Sequence, residues 1–81
     1  MTRYFFHIRR NGETVLDEEG GEFASLDDAR ISAVNAVREL VAAKIKRGLM
    51  ILNDHMEVRD EADALHLVIS FHEVIEGQLK R

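Results

Sequence analysis

Arg3-Tyr4-Phe5-Phe6-His7-Ile8-Arg9-Arg10-Asn11-Gly12-Glu13-Thr14-Val15-Leu16 opens the chain with a strand, a turn and a returning strand. Tyr4, Phe6 and Ile8 fall on one face at period two, with Phe5, His7 and Arg9 on the other; aromatic and β-branched residues at that spacing favour a strand. Asn11-Gly12 takes positive φ readily, which suits the two central positions of a type I′ turn, so Glu13 to Leu16 is expected to return antiparallel. A hairpin patterned in this way has one face to bury, and the rest of the chain must cover it.

The cover is a helix. Asp17-Glu18-Glu19-Gly20-Gly21 reads as a solvated acidic turn, and Glu22-Phe23-Ala24 as a short extended piece before the helix start. Ser25 is placed to cap the free N–H groups, a contribution of roughly 1 kcal/mol, while Asp27 and Asp28 sit in the positive field of the first turn. From Leu26 to Arg47 the residues Leu26, Ala29, Ala33, Val37, Leu40 and Val41 recur at helical spacing as one stripe flanked by Val34 and Ala36. Asn35, Arg38, Glu39 and Lys46 occupy the opposite side, so the stripe is the face to bury. Lys44, Lys46 and Arg47 suit the negative end of the helix dipole, and Gly48 is the expected left-handed C′ residue. Ile31 and Ile45 lie toward one edge of the stripe. Packing beneath loops is the expectation for them, with a seam to a second subunit as the alternative.

Leu49 to Leu52 is an apolar connector and Asn53-Asp54 a turn. A third strand follows from His55 to Asp60, where Met56 and Val58 alternate with Glu57 and Arg59. After the polar connection Asp60-Glu61-Ala62-Asp63, the residues Leu65, Leu67, Ile69 and Phe71 alternate with His66, Val68 and Ser70 as a fourth strand. Ser70-Phe71-His72-Glu73 has capping-box spacing and predicts a short helical turn from about Phe71 to Glu76, before Gly77. Residues 1–81 thus read as a single α+β domain. The expected architecture is a two-layer ββαββ fold, with one long amphipathic helix packed on one face of a mainly antiparallel four-stranded sheet.

In that arrangement Tyr4, Phe6, Ile8, Met56, Val58, Leu65, Leu67, Ile69 and Phe71 meet the helix. The uncovered face carries Phe5, His7, Arg9, Glu57, Arg59, His66, Val68 and Ser70. It has two readings. One is a solvated face whose cross-strand charge pairs, such as Arg9 or Arg59 with Glu57, contribute roughly 0.2–1 kcal/mol each. The other is an interaction surface on which Phe5 and Val68 are apolar anchors among charged and histidine side chains. The candidate interaction residues are accordingly Phe5, His7, Arg9, Glu57, Arg59, His66 and Val68.

Composition removes several classes of function. The 81 residues contain no cysteine, which excludes disulfides, thiolate catalysis and cysteine-ligated metal sites. Eleven Lys and Arg against 15 Asp and Glu give a net charge of −4. That balance lacks the broad basic footprint of a nonspecific nucleic-acid binder, and leaves only a local set, Arg9, Arg10 and Arg59, as phosphate contacts. Four histidines, His7, His55, His66 and His72, invite a metal, His7 and His66 especially because they could share the open face with Glu57, but they lack tight ligand spacing. Neither acidic run follows the twelve-residue calcium loop, Gly20-Gly21 lacks a following Gly-Lys-Ser/Thr, and no serine stands in a nucleophile elbow. No cofactor and no catalytic residue is expected. A chain of this size buries only about 60% of its unfolded surface, so a homodimer is a natural expectation. No stretch is apolar enough for a signal peptide or a membrane helix, and a cytoplasmic location is expected.

Arg3-Tyr4-Phe5-Phe6-His7-Ile8-Arg9, the Asp17-Glu18-Glu19-Gly20 turn and Glu57-Val58-Arg59-Asp60 together resemble a family of short uncharacterised bacterial proteins of rhizobia and related alphaproteobacteria. The resemblance runs over most of the chain and is most specific at its R-Y-F-F-H opening. It implies a bacterial cytoplasmic protein and brings no activity or site residues. The order of hairpin, helix and hairpin is also similar to small antitoxin-like and RNA-binding α+β domains, a likeness of topology alone. Two hypotheses follow: a noncatalytic, self-associating interaction or regulatory module, and an antitoxin-like or nucleic-acid-associated regulator. A small enzyme or metal protein stands behind both.

Overall fold

The computed structural model describes residues 1–79 of the chain. Its elements are β1 (Thr2–Arg10), β2 (Glu13–Val15), β3 (Gly21–Phe23), α1 (Leu26–Lys46), β4 (His55–Asp60), β5 (Leu65–Ser70) and α2 (Phe71–Leu79). The fold is α+β, with all strand pairs antiparallel. The sheet runs β2-β1-β4-β5, and β3 also pairs with β1. Since β4 lies along Tyr4 to Arg9, both short strands share the other edge of β1: β2 along Ile8 to Arg10 and β3 along Thr2 to Tyr4.

Local chemistry accounts for the element ends. Asn11 and Gly12 have φ of 46° and 81°, the left-handed pair that closes the β1–β2 hairpin. Ser25 is the N-cap of α1 and its hydroxyl accepts from the Asp28 N–H at 3.1 Å. At the other end the Gly48 N–H bonds the Ile45 carbonyl and the Leu49 N–H bonds the Lys44 carbonyl, the paired bonds of a Schellman motif.

Ala29, Ala33, Val37 and Val41 are the buried stripe of α1, and they pack with Tyr4, Met56, Val58 and Phe71 in one core. The small alanines let the helix approach the sheet closely, while Val37, Val58 and Phe71 are the largest side chains fully withdrawn from solvent. Each such burial contributes about 1.5–3 kcal/mol. The molecule spans only 17 Å along its shortest axis, so helices cover one side of the sheet and leave the other open.

Four details depart from the expected pattern. The extended piece after the acidic turn is a genuine strand, β3, which makes the sheet five-stranded. The C-terminal turn is a nine-residue helix that continues through Gly77 to Leu79 and packs on α1. Phe71 begins that helix, and its N–H bonds the Asp54 carbonyl at 3.1 Å. Ile31 and Ile45 are not packed beneath loops; they are 49% and 64% exposed.

The fourth departure changes the site. Val58 pairs with Leu67 but Arg59 pairs with Leu65, so β5 carries one extra residue, His66, and a bulge. Past the bulge the alternation inverts. Leu65, expected against the helix, joins the open face beside Arg59. His66, expected on the open face, turns instead to the side of Tyr4: its ring stands edge-on to the Tyr4 ring at 5.5 Å, and its Nε2 lies 2.8 Å from Asp60 Oδ2. The bulge follows from the connection before it, where the Asp60 carboxylate accepts the N–H groups of Ala62 and Ala64 and winds the chain tightly into β5.

Candidate functional site

Register alone assembles the open face into rows. Phe5, Arg59 and Leu65 form one row across β1, β4 and β5; His7, Glu57 and Val68 form the next; Arg9, His55 and Ser70 form the third. Residues directly opposite on antiparallel strands share a face, so these side chains are neighbours without any further folding.

Glu57 is the centre of the face. Its Oε2 accepts from Arg9 Nε at 2.9 Å and its Oε1 from Arg59 Nε at 3.0 Å. Although it stands on the uncovered side of the sheet, Glu57 is only 8% exposed. Burial pushes its carboxyl toward the neutral form, but the hydrogen bonds from Arg59 and Arg9, together with their charges, outweigh that push and hold its pKa below the ordinary value. Arg59 is fixed further by donating to the Asp63 carbonyl at 2.8 Å, while the side chain of Arg9 remains 47% exposed. Arg59 also lies 3.7 Å from the Asp63 carboxylate, so the charges of Arg9, Arg59, Glu57 and Asp63 balance and the cluster is mostly satisfied internally.

Around it lies apolar surface. Leu65 and Val68 are 47% and 54% exposed, Leu16 is exposed, and Phe5 is half-buried. The Phe5 ring stacks on the His7 ring, with centroids 6.2 Å apart and planes within 13°. Beside them opens a cleft of about 340 Å³ whose rim includes Asp17, Glu18, Asp60, Glu61 and Asp63. The Asp60 carboxyl is held below its ordinary pKa by hydrogen bonding with His66 and with the N–H groups of Ala64 and Ala62, against a smaller opposing effect of burial.

The acidic turn has a structural role that its composition concealed. Between the stretches of β1 paired by β2 and β3, the Asp17 side chain takes the place of a strand. Its Oδ2 accepts the Phe6 N–H at 3.1 Å and its Oδ1 the Gly20 N–H at 3.1 Å, while its own N–H donates to His7 Nδ1 at 3.0 Å. Gly20 has φ of +68°, and a Cβ there would lie 2.8 Å from the Phe5 ring and 2.9 Å from the Tyr4 carbonyl oxygen. The glycine is therefore required both by its backbone conformation and by the space it leaves for Phe5. An aspartate three residues before a glycine is the usable signal for this turn.

Of the seven candidate residues, Phe5, His7, Arg9, Glu57, Arg59 and Val68 share the open face, and His66 does not. Leu65, Leu16 and His55 were not among them and belong there. The trio of His7, His66 and Glu57 is split by the bulge, and among the described residues no group of three or more His, Asp or Glu side chains is placed to hold a metal. The trio of Arg9, Arg10 and Arg59 is split as well: Arg9 and Arg59 hold Glu57, whereas Arg10 lies on the helix side against Leu40, Lys44 and Phe71.

A family model, described as a domain of unknown function, DUF6894, matches residues 3–72. The chain belongs to this family. The matched span begins at Arg3 and ends at His72, so it contains β1 from its second residue, the other four strands and α1, and with them the whole Arg9–Glu57–Arg59 cluster. DUF6894 carries no stated activity, and neither a curated protein nor a solved structure matches the chain. No helix among the described residues is long and apolar enough to cross a membrane.

Proposed function

We propose that this chain is a noncatalytic interaction module that associates with a second copy of itself, along the outer edge of β5 and the open sheet face beside it. The observation that carries this reading is the contrast between the two edges of the sheet. The outer edge of β1 is occupied by two three-residue strands and the Asp17 carboxylate. Among the described residues, no strand pairs with the outer edge of β5. That edge runs for six residues, Leu65-His66-Leu67-Val68-Ile69-Ser70, without a proline, lysine, arginine or carboxylate.

An open, uncharged strand edge presents unpaired N–H and C=O groups, and soluble domains ordinarily shield such edges with charges, prolines, bulges or covering loops; the bulge at His66 interrupts only the start of β5 and leaves Leu67 to Ser70 regular. A second copy supplies a complementary occupant, because a two-fold axis beside β5 pairs the strand antiparallel with itself and joins two sheets into one. The same operation brings Leu65 and Val68 of both copies together on the open face, withdrawing apolar surface that one copy leaves in water. Arg9, Glu57 and Arg59 then form the polar border. The central carboxylate of this face is paired with two guanidinium groups, which suits a structural border.

Sedimentation velocity across a wide concentration range tests this reading. The wild-type chain is expected to show a concentration-dependent dimer. A variant carrying Leu65→Lys and Val68→Lys should keep its circular dichroism spectrum, since both side chains are exposed, and sediment as a monomer. A wild-type chain that stays monomeric at high concentration refutes the reading, as does a dimer that both lysines leave intact.

A further inference from the structure

On the opposite side of the sheet, Arg10 continues the Tyr4-Phe6-Ile8 face past the end of the core. Together with Lys44 and Arg47 at the end of α1 it lines a cavity of about 140 Å³ floored by Leu40 and Phe71. Three cations surround this space, and among the described residues the only carboxylate engaged with any of them is Asp54, which pairs with Lys44. Asp54 is itself buried, at 3% exposure, so the pair is shielded from water and Lys44 is committed to it.

The two arginines are not committed. Arg10 Nε is closed off from solvent and has no hydrogen-bond acceptor. Arg47 forms no ion pair among the described residues, although it sits one residue beyond the end of α1. Groups around the cavity therefore sum to about +2 in a chain of net charge −4. The negative pole of α1 does little to offset them, since the carbonyls of Ala43, Lys44 and Ile45 already accept the N–H groups of Arg47, Leu49 and Gly48. A buried N–H without an acceptor is rare in native structures, and this one marks Arg10 as a guanidinium whose hydrogen bonding is incomplete within the described residues; a ligand in the cavity would meet its terminal nitrogens.

We propose that this cavity binds a small oxyanion of the phosphate type, with the Arg10 and Arg47 guanidinium groups as the principal contacts and the Lys44 ammonium as a third charge. Guanidinium forks match tetrahedral oxyanions geometrically and hold them through charge-assisted bonds. The volume lies below the roughly 300–1,000 Å³ of sites for drug-sized ligands, so it suits one phosphate group and not a nucleotide. The source is either free inorganic phosphate or the phosphate of a small monoester, and the two have the same chemistry at the site. This inference stands apart from the self-association reading, because it concerns the other face of the sheet.

The test is an NMR titration of the full chain at pH 7 and fixed ionic strength, following the arginine Nε–H signals. Inorganic phosphate is added in one arm, glycerol phosphate in a second and sodium chloride in a third. A saturable shift of the Arg10 and Arg47 signals with either phosphate, absent with chloride, is the expected result; the tighter of the two identifies the source. Arg47→Gln, at an exposed position, should weaken binding at least about tenfold while leaving the backbone spectrum folded. Arg30→Gln, at the far end of α1 where Arg30 pairs with Asp27, should change nothing. Shifts that never saturate, shifts matched by chloride, or an Arg47→Gln variant that titrates like the wild type would each overturn the proposal. Arg10→Gln is the second variant, and if it fails to fold, Arg47→Gln still decides.

Discussion

Replacing Glu57 by alanine removes the carboxylate that bridges Arg9 and Arg59, and the geometry sets how the loss divides. The Arg59 bond is 3.0 Å long and its side chain is 21% exposed, so water replaces it poorly. A shielded hydrogen bond to a charged group contributes roughly 1.5–3 kcal/mol. The Arg9 bond is slightly shorter at 2.9 Å, but that side chain is 47% exposed, and exposed pairs contribute only about 0–1 kcal/mol. Because Arg59 keeps its bond to the Asp63 carbonyl, the total cost should fall near 2–3 kcal/mol and not at the sum of the upper limits. In urea, with a slope of about 1 kcal/mol/M for a domain this small, the midpoint should move by about 2–3 M with the slope unchanged. Double-mutant cycles with Arg9→Ala and Arg59→Ala should give the larger coupling to Arg59. A midpoint shift under about 0.5 M, or a coupling to Arg9 that exceeds that to Arg59, would show that Glu57 does not organise this face.

Gly20→Ala should cost about 2–4 kcal/mol in the same denaturation assay, combining the left-handed backbone with a Cβ driven against the Phe5 ring and the Tyr4 carbonyl; a near-neutral result would mean the turn relaxes. Asp17→Ala should cost about 2–3 kcal/mol and speed hydrogen exchange at the Phe6 and Gly20 amides, whereas unchanged exchange would place their acceptor elsewhere. Stability should also fall in acid. Glu57 and Asp60 are held below their ordinary pKa values, so their contribution is complete above the unfolded-state values near pH 4 and is lost as pH drops through the lower folded-state values. Glu57→Gln should flatten that part of the pH dependence in urea midpoints measured between about pH 5 and 2.5; an unaltered slope would contradict the assignment.

The hairpin, the long helix and the third strand were legible because each is dictated locally. Asn11-Gly12 needs no tertiary partner to turn, Ser25 and Gly48 bracket α1 by capping chemistry, and the observed β4 has the expected limits, His55 and Asp60. The bulge was not legible. Leu65 to Phe71 alternates without a break, and nothing in that run tells which residue will be extra; the choice is made upstream, where the Asp60 carboxylate winds the connection. Phe71 was assigned correctly to the core for an incomplete reason, since an aromatic residue at that point is buried whether it ends a strand or begins a helix.

The same distinction separates the visible from the hidden parts of the site. Phe5, His7, Arg9, Glu57, Arg59 and Val68 share a face because strand periodicity places them there. Asp17 was hidden in a run of three acidic residues, Asp17 to Glu19, any of which could face water; only the pairing of β1 with two separate strands singles it out. The cavity at Arg10 was hidden for a related reason, because it joins the end of β1 to the end of α1, and no spacing along the chain encodes that meeting.

The central claim is that β5 is an unfilled edge completed by a second copy of the chain. Hydrogen exchange at the amides of Leu65 to Ser70, measured at increasing protein concentration, tests it most directly. The outward-facing amides of this strand should exchange rapidly in dilute solution and become protected as concentration rises, while those of the β1–β2 hairpin stay unchanged. Exchange along β5 that is independent of concentration would contradict the account.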